Sequence, residues 1–145
     1  MAVDVMVTEV IERPIAAVAE YAGDPSNAPE WYARIEAAEW ETDPPLRLGS
    51  RIRFRATFLG RQLEYTYEIV EHTPGEQVAM STSDGPFPMN TVYTWRPVGD
   101  RETHMTRRNQ GEPVGFGKLA APLVSRAMRR AMTGDLRNLK QLLEA

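Results

Sequence analysis

The chain has 145 residues, of which 42% are hydrophobic and 26% charged, and its net charge is −3. These values describe one globular domain over residues 1–145, large enough to bury a core unaided; they exclude a disordered chain and give no global reason to expect nucleic acid. Cysteine is absent and the only histidines are His72 and His104, which excludes a disulfide framework and thiolate chemistry and leaves no ligand set for zinc. No run approaches the roughly 18 apolar residues of a membrane span, and no charged-then-apolar leader is visible, so a cytoplasmic location is expected.

Residues 3–12, rich in valine, read as a strand that stops before Pro14. Pro14 is placed to open a two-turn helix over Ile15–Ala22, closed by Gly23. Ser26 or Asn27 is able to cap a second short helix over Ala28–Tyr32. Neither helix is stable alone, and Trp31 with Tyr32 supplies the apolar surface for docking them. Residues 35–42 make a weak strand, broken by Asp43-Pro44-Pro45.

The pattern then sharpens. Ile52, Phe54, Ala56 and Phe58 alternate with Arg51, Arg53, Arg55 and Thr57; after a turn at Leu59–Gly60, Leu63, Tyr65, Tyr67 and Ile69 alternate with Gln62, Glu64, Thr66 and Glu68. Setting Phe58 opposite Arg61 puts Arg55 opposite Glu64 and Arg51 opposite Glu68 on one face, with Phe54 opposite Tyr65 and Ile52 opposite Tyr67 on the other. Charge and apolarity agree on one register. The Arg–Glu pairs then form a solvated face. Further strands are expected over 76–83, 89–96 and 102–110, with turns at Pro74–Gly75 and Asp84-Gly85-Pro86. From Phe116 to Leu143 apolar residues recur at three and four, opposite a basic arc of Lys118, Arg126, Arg129, Arg130, Arg137 and Lys140. That is an amphipathic helix of about seven turns. Pro122 either falls in its first turn, starting it near Ala120, or kinks it. Antiparallel strands joined by turns, with segregated helices, define an α+β class.

The order of elements resembles the helix-grip fold of START lipid-transfer domains, the major birch-pollen allergen and the polyketide cyclase/dehydrase group (SRPBCC). The resemblance to an uncharacterised bacterial branch of that last group rests on Ile11-Glu12-Arg13-Pro14, Asp24 and Asn27 before Trp31, Leu48-Gly49-Ser50, Asn109-Gln110-Gly111-Glu112-Pro113 and Asp135-Leu136. It implies a curved antiparallel sheet of about seven strands wrapped around the long C-terminal helix, with two short helices after the first strand. It also implies an apolar ligand between sheet and helix. No cofactor is implied, and the sequence shows no iron-binding facial triad, phosphate loop or Ser-His-Asp order.

In such a fold the residues that face the cavity are Phe54, Tyr65, Tyr67, Thr91, Tyr93, Trp95, Met105, Arg107, Asn109, Phe116 and Leu123. The plain role of the aromatic members is core packing; the sharper one is to meet a ligand's polar atoms. Arg107 shares the two-residue period of Met105 and so faces inward. It needs a protein carboxylate, with Glu9 the candidate, or a solvated cavity mouth, or a ligand anion. Asp135, within the apolar arc of the last helix, is expected to make a polar contact with the short helices or the first strand. The basic arc reads as a solvated helix back. The functional expectation is intracellular binding of a small, largely apolar or amphipathic molecule, lipid-like or polyketide-like, by a monomer or homodimer. The alternatives are a cyclase, aromatase or dehydratase, in which Arg107 polarises a carbonyl and Tyr65 or Tyr67 donates a proton, and a regulatory or toxin–antitoxin-like interaction protein.

Overall fold

The computed structural model describes residues 3–58, 60–82, 88–112 and 121–145. Seven strands, β1 (Val3–Ile11), β2 (Ile35–Trp40), β3 (Arg51–Phe58), β4 (Arg61–Thr73), β5 (Gln77–Thr82), β6 (Met89–Val98) and β7 (Glu102–Gly111), form one antiparallel sheet in the order β1-β7-β6-β5-β4-β3-β2. Between β1 and β2 lie two short helices, α1 (Ile15–Ala22) and α2 (Ala28–Trp31), with a single 3₁₀ turn over Pro25–Asn27 between them. The long helix α3 is described over Ala121–Glu144, so the earlier residues of the expected helix, Phe116 among them, and the turn at Asp84-Gly85-Pro86 lie outside the described residues.

The β3–β4 register is the one that charge and apolarity dictate, from Arg51 opposite Glu68 to Phe58 opposite Arg61. The ion pairs on its solvated face are only partly along that register. Arg51 meets Glu68 at 3.3 Å, whereas Arg55 turns to Glu36 on β2 at 3.5 Å and Arg53 reaches Glu39 at 2.6 Å. A central strand offers each cation two neighbours, and hairpin logic sees only one. Capping of the short helices also differs from expectation. Asn27 does hold the N-cap position of α2 but makes no side-chain capping bond there, donating its amide to the Tyr21 carbonyl instead; the side-chain cap is that of Asp24, whose carboxylate accepts from the Ser26 N–H at 2.9 Å and caps the 3₁₀ turn.

α3 buries Val124, Met128, Met132, Leu136 and Leu139 against the inner face of the sheet, with Asp135 among them. Its helical period centres this stripe near Met132 and Leu139 and leaves Leu123, expected to face the cavity, on the opposite side and 68% exposed. The basic arc has a structural task at the sheet edge. β1 is an edge strand, and its Met6 and Val10 carbonyls accept hydrogen bonds from Arg129 Nη1 (3.0 Å) and Lys140 Nζ (2.7 Å). Further along, Glu144 accepts from the Glu12 N–H and Arg13 donates to the Leu143 carbonyl. Long cations from the helix thereby satisfy and block an edge that would otherwise invite another strand. Among the described residues no helix is long and apolar enough to cross a membrane.

Candidate functional site

The inner face of the sheet changes character along its strands. The row Val7, Arg107, Tyr93 and Val78 lies between a wholly enclosed end at Met105 and Trp95 and a more polar end at Asn109 and Thr91. The two-residue period of β7 puts Met105, Arg107 and Asn109 on one face, so burying Met105 forces a guanidinium and an amide into the same interior. Arg107 is 7% and Asn109 3% exposed.

The partner of Arg107 is Asp135 of α3, 5% exposed, whose Oδ2 lies 3.2 Å from Arg107 Nη1. Glu9 does not serve: in register it stands opposite Met105, two positions along from the Val7–Arg107 pair. The other Asp135 oxygen accepts from the Ala33 N–H at 3.0 Å, immediately after α2. One carboxylate thus ties together the long helix, the exit of the short helices and the middle of the sheet. The guanidinium lies over the Tyr32 ring, 4.3 Å from its centroid, a cation–π contact in a water-poor site. Burial works against the charge on Arg107, but Tyr32, Tyr93 and Asp135 outweigh it and hold its pKa above the usual guanidinium value. At neutral pH the phenols are uncharged, so the operative counter-charge is Asp135.

Around this pair lies a cavity of about 70 Å³ lined by Trp31, Tyr32, Ile52, Phe54, Tyr65, Tyr67, Met80, Thr91, Tyr93, Arg107 and Asn109, with Leu46 and Met89 toward one end. The aromatic rings lean on one another. Trp31 is 4.4 Å from Tyr32 and 5.8 Å from Tyr93, and Tyr67 is 5.6 Å from Tyr65 and 5.9 Å from Phe54, centroid to centroid. The Tyr32 and Tyr93 hydroxyls are hydrogen-bonded, and Tyr67 Oη lies 3.4 Å from Thr91 Oγ1. Burial pushes the Tyr65 and Tyr93 phenols up to about 12 and those of Tyr32 and Tyr67 well above the ordinary value. Each of these hydroxyls therefore keeps its proton and can donate it in a hydrogen bond.

Among the described residues four buried side-chain polar atoms have no hydrogen-bond partner: Arg107 Nε, Asn109 Oδ1 and Trp31 Nε1, which belong to residues lining the cavity, and Trp95 Nε1, which does not. Leaving such groups unpaired costs about 1–3 kcal/mol each, and three on the wall of one cavity are what a polar end of an occupant would meet. Of the residues that the sequence directed to the cavity, Phe54, Tyr65, Tyr67, Thr91, Tyr93, Arg107 and Asn109 stand on its wall. Met105 is fully enclosed and is not part of the wall. Trp95, also buried, lines a separate open groove of about 620 Å³ with Ala19, Pro45 and His72. Leu123 faces away and Phe116 lies outside the described residues. Sequence reasoning assigned Trp31 and Tyr32 to docking alone and left Ile52, Met80 and Asp135 off the site; a lone acid in the apolar arc of α3, opposite a lone inward arginine, was the available signal for the ion pair.

A seven-stranded antiparallel sheet with a long helix against its inner face, and a polar-studded aromatic cavity between that face and the short helices, defines a START-like helix-grip fold. The chain belongs to the family described as polyketide cyclase / dehydrase and lipid transport, whose profile matches residues 2–144. No curated protein matches its sequence. Among solved structures it is similar to a START superfamily protein from Mycobacterium smegmatis (TM-score 0.84, 13% identity, 97% of each chain covered). It is also similar to the Zhui aromatase/cyclase from Streptomyces sp. R1128 (TM-score 0.81, 16% identity, 99% of this chain and 94% of that one). A third likeness is to the ginseng major latex-like protein 151 (TM-score 0.74, 13% identity, 97% and 96%). At such identities these likenesses show the fold alone.

Proposed function

We propose that the protein binds a small, largely apolar molecule, lipid-like or polyketide-like, in the cavity between the inner face of the sheet and the two short helices, with α3 reaching it only through the Asp135–Arg107 pair. The observation that carries this reading is the set of unpartnered buried atoms, Arg107 Nε, Asn109 Oδ1 and Trp31 Nε1, on the wall of an otherwise aromatic cavity. Trp95 Nε1 is unpartnered elsewhere in the core, so it is the grouping of three such atoms on residues lining one cavity, and not any one of them, that supports the reading. At about 70 Å³ the cavity is well short of the roughly 300–1,000 Å³ of drug-sized ligand sites. Binding anything larger than a small fragment therefore requires the wall to open. Native mass spectrometry of protein purified from its own host, then titration with a panel of lipids and aromatic compounds, tests the reading. A retained or added small molecule supports it; a uniformly empty protein that shifts with no member of the panel counts against it.

A second reading, a cyclase- or dehydratase-like enzyme, is favoured by one feature: protonated phenols of Tyr65, Tyr67 and Tyr93 share the cavity wall with a charged Arg107. These are groups that stabilise an enolate and deliver a proton in a dry site. Conversion of a linear poly-β-keto thioester to an aromatic product, lost on Arg107→Met, would establish it; binding without turnover would leave the carrier reading in place.

A further inference from the structure

We infer that the cavity selects ligands whose polar end is electrically neutral and holds a hydrogen-bond acceptor beside a donor, such as an amide, a hydroxy-ketone or an enol, over carboxylates. The inference rests on the reading of the cavity as a ligand site and adds the chemistry of what that site takes. Arg107 is the cation of the wall, and its charge is already met by Asp135 at 3.2 Å. The pair sums to zero charge, and both side chains are only 8% exposed. A ligand carboxylate brought to the guanidinium would also stand close to the Asp135 carboxylate, and the buried pair would carry a net negative charge with little solvent to spread it. A ligand ammonium meets the mirror-image problem at Arg107. The phenols offer no relief in either direction, because all four around the cavity remain neutral.

What is left unsatisfied is itself neutral in demand. Arg107 Nε and Trp31 Nε1 are donors without acceptors, and Asn109 Oδ1 is an acceptor without a donor. A carboxylate can answer the first two and leaves Asn109 facing a second acceptor. A ketone or ester alone answers the donors only. A group with both functions offers an acceptor to the donors and a donor to Asn109. Arg107 cannot turn freely to serve an anion instead, since its guanidinium is held over the Tyr32 ring and by Asp135, which is held in turn by the Ala33 N–H.

The test uses matched probes, benzamide against benzoate and 2-naphthamide against 2-naphthoate, titrated at neutral pH by NMR and calorimetry. The wild type should bind each amide about ten- to a hundredfold more tightly than its acid, the discrimination typical of leaving a buried polar group unpaired. Asp135→Asn keeps an acceptor for the Ala33 N–H while freeing the charge of Arg107, and it should raise affinity for the acids and narrow or reverse the preference. If that variant does not fold, Arg107→Met with Asp135→Leu replaces the pair by apolar side chains and should lose the amide preference. Equal affinities of acid and amide for the wild type, or a tighter acid, overturn the inference while leaving the binding reading intact. Binding of neither series, extended to aliphatic acids and amides, overturns the binding reading and the inference with it.

Discussion

Replacing Arg107 by methionine should cost the apo protein about 3–5 kcal/mol, the usual penalty for abandoning one member of a buried ion pair. The structure sets the terms. Asp135 is 5% exposed, and without Arg107 its Oδ2 loses the guanidinium while Oδ1 keeps only the Ala33 N–H. Asp135→Leu should cost a similar amount, because it strands the guanidinium instead. The double replacement should be close to wild type or more stable, since it removes both buried charges and fills the space with apolar atoms. Denaturation in urea reads all three. With a slope of about 2 kcal/mol/M for a domain of this size, each single variant moves the midpoint down by roughly 2 M and the double variant returns it. A single Arg107→Met variant that loses less than about 1 kcal/mol would refute the reasoning, for the pair would then be hydrated and the site open to water rather than sealed.

Three other outcomes follow from the packing and the titrations. Leu139→Ala should cost about 2–5 kcal/mol, because Leu139 is wholly buried between α3 and the sheet; a loss near zero in chemical denaturation would mean that the end of α3 is frayed. Gly60→Val should cost about 1 kcal/mol or more: the Gly60 φ of 76° disfavours a β-branched residue although its Cβ would meet nothing within 4 Å, and an unchanged melting temperature would contradict this. All five tyrosines have phenols raised above the ordinary value of 10. Their neutral forms are favoured by folding, so the associated stability is fully present below about pH 10 and is lost as pH rises toward about 12. Tyrosinate absorbance should appear together with unfolding; ionisation of two or more tyrosines near pH 10 in the folded protein is the contrary result.

The fold was legible because its signals were local and redundant. In β3 and β4, alternating Arg and Glu on one face and Phe, Tyr and Ile on the other each fix the same register. Pro14 and Gly23 bracket α1 in the same direct way. The cavity was legible only where the two-residue period of a strand carried it, as in Arg107 and Asn109, or Thr91 and Tyr93. Along α3, a stripe drawn broadly enough to hold Leu123 lost the narrower one that actually packs. The Arg107–Asp135 pair joins residues 28 positions apart on different elements; each charge was visible in its apolar setting, but no local pattern states that the two meet. Trp31 and Tyr32 were misjudged for a related reason. A docking surface and a cavity wall have the same composition, and only the third dimension separates them.

A ligand bound in the cavity lined by Trp31, Arg107 and Asn109 would lie beside an indole N–H that reports on it directly. The protein has three tryptophans in distinct surroundings: Trp40 Nε1 donates to Ser26 Oγ at 2.8 Å, while Trp31 and Trp95 both have unpartnered Nε1 atoms, Trp31 lining the cavity and Trp95 the other groove. In a ¹H–¹⁵N spectrum recorded during titration with 2-naphthamide, the Trp31 indole resonance should shift saturably downfield as its N–H gains an acceptor, while Trp40 and Trp95 hold still. A saturable shift of Trp95 with Trp31 unmoved, or no saturable shift of any indole at the highest soluble concentration, would contradict the assignment of the site.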